Sequence, residues 1–184
     1  MPNFSDVTYQ DLTELETGKY EYCTFTSCSF EKADLSEMAF WECEFEGCNL
    51  SNADIRDTDF REVSFQNCKL LGLSFHTTKD FLFSVSFDGC QLDYASFIQK
   101  EMAGTQFTNC SLEEVDFSQA TLTQAIFENC DLKRTLFERT KLEKVDFRTA
   151  TGFIIDPEIN SLKKARFSAM GLAGLLKKYD LDIE

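Results

Sequence analysis

The sequence predicts an all-β solenoid rather than a layered globular domain, on three observations. Large apolar residues recur every five positions along most of the 184-residue chain. Short cysteine-bearing strings recur every twenty. Neither period is that of an α-helix or of a single strand. A pattern of such length with such a period needs stacked, like turns that bury one another.

The five-residue lattice runs Tyr20, Phe25, Phe30, Leu35, Phe40, Phe45, Leu50, Ile55, Phe60, Phe65, Leu70 and Phe75. It slips by two residues and resumes at Leu82 and Phe87, then keeps step to Phe147. Two positions before most of these centres stands a small residue. Ala33, Ala53, Thr58, Val63, Val115 and Ala120 are examples, and all eight cysteines occupy the same slot. Two residues in five therefore face inward, one large and one small. The strings FTSCSF, FEGCNL, FQNCKL, FDGCQL, FTNCSL and FENCDL repeat at twenty, with one step of twenty-two at the slip. Four five-residue units thus make one turn. Gly47, Asn67, Gly89, Asn109 and Asn129 mark one corner, where a residue tolerant of positive φ is required.

Units such as Ala33-Asp34-Leu35-Ser36-Glu37 and Ala53-Asp54-Ile55-Arg56-Asp57 resemble the pentapeptide-repeat family, whose unit is A-[DN]-L-x-x. The resemblance covers residues 20–152 and implies a right-handed quadrilateral β-helix. Coils should stack at about 4.8 Å. Residues 1–19 are expected as an N-terminal cap, with a short helix over 8–16. Residues 153–184 are expected as a helical cap and dimerisation segment. Asp156-Pro157-Glu158 has the form of a helix start. A second helix is expected from Ser168, with Leu172, Leu175, Leu176 and Tyr179 on one face and Leu181-Asp182-Ile183 as a short strand. This ending resembles the quinolone-resistance (Qnr-type) pentapeptide proteins and their mycobacterial relative. There a C-terminal helix and strand close the rod and join two chains head to head. The resemblance implies a homodimer through Leu172, Leu175, Leu176, Tyr179, Leu181 and Ile183. A cap without a dimer stays open.

Composition excludes several classes of function. No run of apolar residues is long enough to span a membrane. The acidic N-terminus MPNFSDVTYQDLTELE lacks the apolar core of a secretory signal. A net charge of −14 argues against nucleic-acid binding and for a protein partner with a basic surface. The cysteine spacings match no CxxC pair, so neither a metal site nor a disulfide framework is expected. Eight reduced core thiols fit a cytoplasmic chain. No phosphate loop or nucleophile motif is present, and the chain reads as a non-enzyme without cofactor.

Charge falls unevenly along the chain. Residues 1–50 carry 11 acids and 2 bases, residues 51–140 carry 14 and 8, and residues 141–184 carry 7 and 8. Outward acids form columns: Asp34, Asp54 and Asp116; Glu37 and Asp57; Glu42 and Glu62, with Asp59 beside them. These residues are one candidate partner face. The Qnr-type resemblance implies that such a face imitates DNA and binds DNA gyrase or topoisomerase IV, protecting it from quinolones. The residues themselves leave a general scaffold equally open. A second candidate contact is the irregular patch of Trp41, His76, Phe81 and Phe83 at the slip, which a mere covering of the bulge would also explain. Trp41, Arg61 and Phe83 are expected to stack, with Arg61 between two rings. Asp80 and Lys100 break the small-residue rule with charge. Two lone charges inside would be costly. Either they pair across the coils or the backbone bulges to release them; the slip favours release, and a local distortion is expected around residues 76–81 and 99–104, with Asp80 turned outward and Lys100 snorkelling.

Overall fold

The computed structural model describes residues 1–182. It contains β1 (Asn3–Ser5), β2 (Thr8–Gln10), β3 (Lys19–Glu21), β4 (Thr24–Thr26), β5 (Ala39–Trp41), β6 (Glu44–Glu46), β7 (Asp59–Arg61), β8 (Val63–Gln66), β9 (Val85–Asp88), β10 (Gln106–Thr108) and β11 (Ile126–Glu128). All pairings are parallel, between successive turns. One sheet runs β1-β3-β5-β7 and the other β2-β4-β6-β8-β9-β10-β11. Two further faces are held by isolated bridges, such as Ser29↔Asn49↔Lys69↔Gln91 and Ser96↔Asp116↔Leu136. The result is a four-sided β-solenoid.

Numbering the faces by their centres, face 1 carries Tyr20, Phe40 and Phe60. Face 2 carries Phe25 to Phe147, face 3 carries Phe30 and the leucines Leu50 to Leu132, and face 4 carries Leu35 to Phe137. On face 2 the rings stack without interruption from Tyr9 through Phe25, Phe45, Phe65, Phe87, Phe107, Phe127 and Phe147 to Phe167, with centroids 4.5–5.4 Å apart. Parallel stacking places like over like, so aromatic packing adds to burial at each step.

All eight cysteines are buried and free. Their slot does more than fill space. Cys48 Sγ donates to the Phe25 carbonyl (3.2 Å) and Cys68 Sγ to that of Phe45 (3.3 Å). Thr58, Thr135 and Thr140 make the same kind of bond to Leu35, Leu112 and Phe117. A small side chain with one hydrogen to donate suits this position. Burial pushes the Cys43 thiol up to about 12.

Positive φ occurs at the expected corner, at Gly47, Asn67, Gly89, Asn109 and Asn129, and also at most other corners in many residue types, including Glu42 (51°), Glu62 (52°) and Leu82 (58°). Three expectations are corrected. Residues 8–16 contain no helix, since Thr8–Gln10 forms β2 and pairs with β4. Phe4 and Tyr9 stack on Tyr20 and Phe25, so this segment is an added, shorter turn of the solenoid. Asp156-Pro157-Glu158 starts a turn rather than a helix: the Asp156 carboxylate accepts the Glu158 N–H (2.8 Å), and bridges follow at Ser161 and Arg166. Among the described residues of the C-terminal segment, helical structure is limited to α1 (Ala173–Leu176) and the 3₁₀ turns flanking it. Leu181 and Asp182 are not in a strand, and Ile183 lies outside the described residues.

Candidate interaction surface at the register slip

The two extra residues fall in the segment 79–84. Thr78 fills the small inward slot and is buried. Leu82, expected as an inward centre, instead takes a corner position and is 60% exposed. Phe83 turns inward in its place, half-buried and edge-on to Phe75 (6.3 Å). The insertion has moved the corner, so Leu82 and Phe83 exchange roles.

Lys100 is 1% exposed and does not snorkel. Its ammonium donates to the Thr78 carbonyl (2.7 Å), the Lys79 carbonyl (3.4 Å) and Asp80 Oδ1 (2.8 Å), and lies 4.6 Å from the centre of the Phe83 ring. Asp80 projects to solvent as expected, yet pairs with Lys100. Elsewhere on face 1 a main-chain N–H bonds to the turn below, as Thr121 does to Lys100 and Asp59 to Met38. At the slip that ladder is broken: the first sheet ends at β7, and bridging resumes only at Glu101↔Thr121. The Lys100 ammonium supplies donors where main-chain ones are missing. Burial lowers its pKa, and the hydrogen bond it donates to Asp80 opposes that shift.

Arg61 does lie between two rings, but the second is Phe81. The guanidinium carbon is 4.1 Å from the Trp41 centroid and 5.2 Å from that of Phe81. Lys19, which the lattice did not single out, sits on the far side of Trp41 at 3.3 Å. Face 1 thus carries an alternating column, Lys19–Trp41–Arg61–Phe81. Trp41 Nε1 is buried without a hydrogen-bond partner. Phe81 is 70% exposed. A hollow of about 410 Å³ is lined by Trp41, Glu42, Arg61, Glu62, Leu82, Phe83 and Ser84. A groove of about 380 Å³ adjoins it, between Phe83 and Ser84 and the shelf of Glu101, Met102, Ala103 and Gly104. His76 is exposed in a 3₁₀ turn on face 4, next to this patch in the chain but round the corner from the column.

The acidic columns are as the lattice places them, but broken. Asp34↔Asp54 and Ser74↔Ser96↔Asp116 are bridged in register, so two serines separate the acids. The Asp34 carboxylate accepts the Ser36 N–H and hydroxyl, which hold its pKa below the usual range. Arg56 does the same for Asp54 through a two-pronged ion pair. Asp116 accepts the Ser118 N–H. Asp59 is buried at 5% and paired with Arg61, so it is not presented at the surface. Glu37, Asp57, Glu42 and Glu62 stand exposed at corners. Nearer the C-terminus, cations accompany the acids: Lys133 with Asp131, Arg134 with Glu113 and Glu114, and Arg148 with Asp146.

At the C-terminal end, Met170 is 94% exposed, and Leu172, Leu176, Tyr179 and Leu181 are exposed too. Leu175 packs partly against the core. Lys178 bridges Asp156 and Glu158, tying the helix back to the last turn.

Among the described residues, no helix is long and apolar enough to cross a membrane, and no group of three or more His, Cys, Asp or Glu could hold a metal ion. The family model for the pentapeptide repeat region matches residues 13–97, 81–147 and 100–174, and the chain belongs to that family. No curated protein matches it. Similar solved structures include full-length QnrB1, a plasmid-mediated fluoroquinolone resistance protein, at 16% identity over 98% of this chain and 100% of that one, with a TM-score of 0.48. Another is HetL, a pentapeptide repeat protein involved in heterocyst differentiation regulation from the cyanobacterium Nostoc sp. strain PCC 7120, at 17% identity over 89% and 88%, with a TM-score of 0.46. At these identities the likeness speaks to the fold alone.

Proposed function

We propose that this chain is a non-enzymatic protein-binding scaffold, which pairs through its C-terminal apolar cap and presents its flanks to a partner with a basic surface. The observation that carries the reading is the dispersal of the acids. They occupy all four faces, alternate with Ser, Gln and Thr in their columns, and are partly neutralised by arginines and lysines two residues further along the same turn. A mimic of a phosphate backbone needs an unbroken line of unpaired negative charge. The near-neutral C-terminal segment would put the weakest field at the centre of a head-to-head pair. A scaffold needs only a rigid rod with distinct local contacts. Gyrase supercoiling with and without ciprofloxacin separates the two readings. The expected outcome is no protection, even with the protein in tenfold excess over gyrase. Protection that disappears in an Asp34→Asn/Asp54→Asn variant would establish mimicry instead.

A further inference from the structure

The register slip does more than interrupt the ladder. It pushes two large apolar side chains, Phe81 and Leu82, into solvent at 70% and 60% exposure. Among the described residues at positive φ, Leu82 is the one aliphatic residue, and its φ is that of the corner it occupies. What sets it apart is an aliphatic side chain turned to solvent next to an exposed ring. The tip is also held firmly, because Lys100 anchors the carbonyls of Thr78 and Lys79 and the carboxylate of Asp80 from inside. A surface fixed before binding loses less freedom on association.

The column beneath the tip alternates cation and ring: Lys19, Trp41, Arg61, Phe81. It ends on a ring. The next turn offers Ala103 and Gly104, and a Cβ built on Gly104 would meet nothing within 4 Å. The adjoining groove is lined by the carboxylates of Glu62 and Glu101 and by no cation. The next member of the column is therefore a cation that this chain does not supply.

We propose that the Phe81 and Leu82 tip, with the groove over Ala103 and Gly104, docks an arginine-bearing apolar segment of a protein partner. The arginine lies between the Phe81 ring and the Glu62 and Glu101 carboxylates, and the flanking apolar side chains cover Leu82. A planar guanidinium suits both a ring face and a carboxylate. The proposal rests on the protein-binding reading above and narrows it to one contact.

Trp41 is the sole tryptophan and stands two places below Phe81 in the column, so its fluorescence reports on this surface. The probe is a capped nonapeptide of alternating arginine and leucine, titrated into the full chain. A second peptide carries neutral citrulline in place of arginine. The expected result is a saturable change in Trp41 emission. The affinity should fall at least tenfold with the citrulline peptide and in a Phe81→Ala/Leu82→Ser variant. It should fall severalfold in Glu62→Gln/Glu101→Gln. All four positions are exposed, so the variants fold. Equal affinity in these variants, or for citrulline, overturns the proposal. So does the absence of saturable binding, which leaves the scaffold reading standing on its gyrase test. Sedimentation in which Phe81→Ala/Leu82→Ser alone breaks a dimer would overturn it too, by assigning the surface to a second copy.

Discussion

A charged side chain among stacked rings is stabilised only if every proton it carries finds an acceptor. Lys100 meets that condition with two carbonyls and one carboxylate, and it gains the face of Phe83 besides. Lys100→Met keeps most of the volume but leaves two carbonyls unpaired. The expected loss is about 1–3 kcal/mol of unfolding free energy. Asp80→Asn should cost less than about 1 kcal/mol, because Asp80 is exposed and its pairing is screened. The pH dependence has a definite sign. Burial lowers the folded-state pKa of Lys100 below that of an ordinary lysine. In the window between the two values the unfolded chain holds more protons, so stability rises with pH there. Thermal melts should show the wild-type advantage over Lys100→Met growing as pH rises through that window. A constant difference would mean that folding leaves the pKa of this amine unchanged, its bonds offsetting its burial.

Among elements, the nine-ring column on face 2 is the part that the slip leaves untouched. Phe107 stacks at 5.2 Å on Phe87 and at 4.8 Å on Phe127, fully buried. Phe107→Ala should cost about 3–5 kcal/mol in denaturant melts, since neighbours held in two sheets cannot collapse into the cavity. A loss below about 1 kcal/mol would mean that the column adapts as a fluid core does. The column was legible in the sequence because one residue type repeats at one spacing. Its ends were harder to read. Phe4 and Tyr9 are five apart like the rest, but they lie sixteen rather than twenty before Tyr20 and Phe25. Leu162 and Phe167 lie twenty after Leu142 and Phe147, yet the Asp-Pro-Glu string carries a strong local helix signal. The register of the stack overrode that local preference. At the slip, spacing alone could not say which of Leu82 and Phe83 faces inward. That choice depends on where the corner falls, and the insertion moves it. The cation beneath Trp41 was hidden for another reason. Lys19 and Trp41 meet only through stacking of one turn on the next.

For the whole molecule, charge and apolar exposure separate along the rod. The first fifty residues carry 11 acids against 2 bases, while the last turns are close to neutral and end in exposed Met170, Leu172, Leu176, Tyr179 and Leu181. The acidic end repels its copy and the apolar end can bury against one. The expected species is a dimer joined at the C-terminal cap. Sedimentation velocity at micromolar concentration should find a dimer for the full chain and a monomer for Leu172→Glu/Leu176→Glu. A full-length monomer would leave these residues as a cap alone.

The bridges that survive the slip also set how the rod responds to load. Faces 2 and 3 are continuous past it, through β8 and β9 and through Asn49↔Lys69↔Gln91. Faces 4 and 1 are not: no bridge joins Asp54 to Ser74, and the first sheet stops at β7. The intact pair of faces shares the corner of Gly47, Asn67 and Gly89, and the interrupted pair shares the corner beside Thr77. The interrupted side is held by fewer bonds, among them those from the Asp57 N–H to the Thr77 carbonyl, from the Lys79 N–H to that of Thr58 and from the Ser84 N–H to that of Phe60. Resistance to bending should therefore be lower toward that side than toward the glycine and asparagine corner. Lys100 ties the carbonyls of Thr78 and Lys79 and the Asp80 carboxylate to the turn above, so one buried amine stands in for a missing main-chain rung.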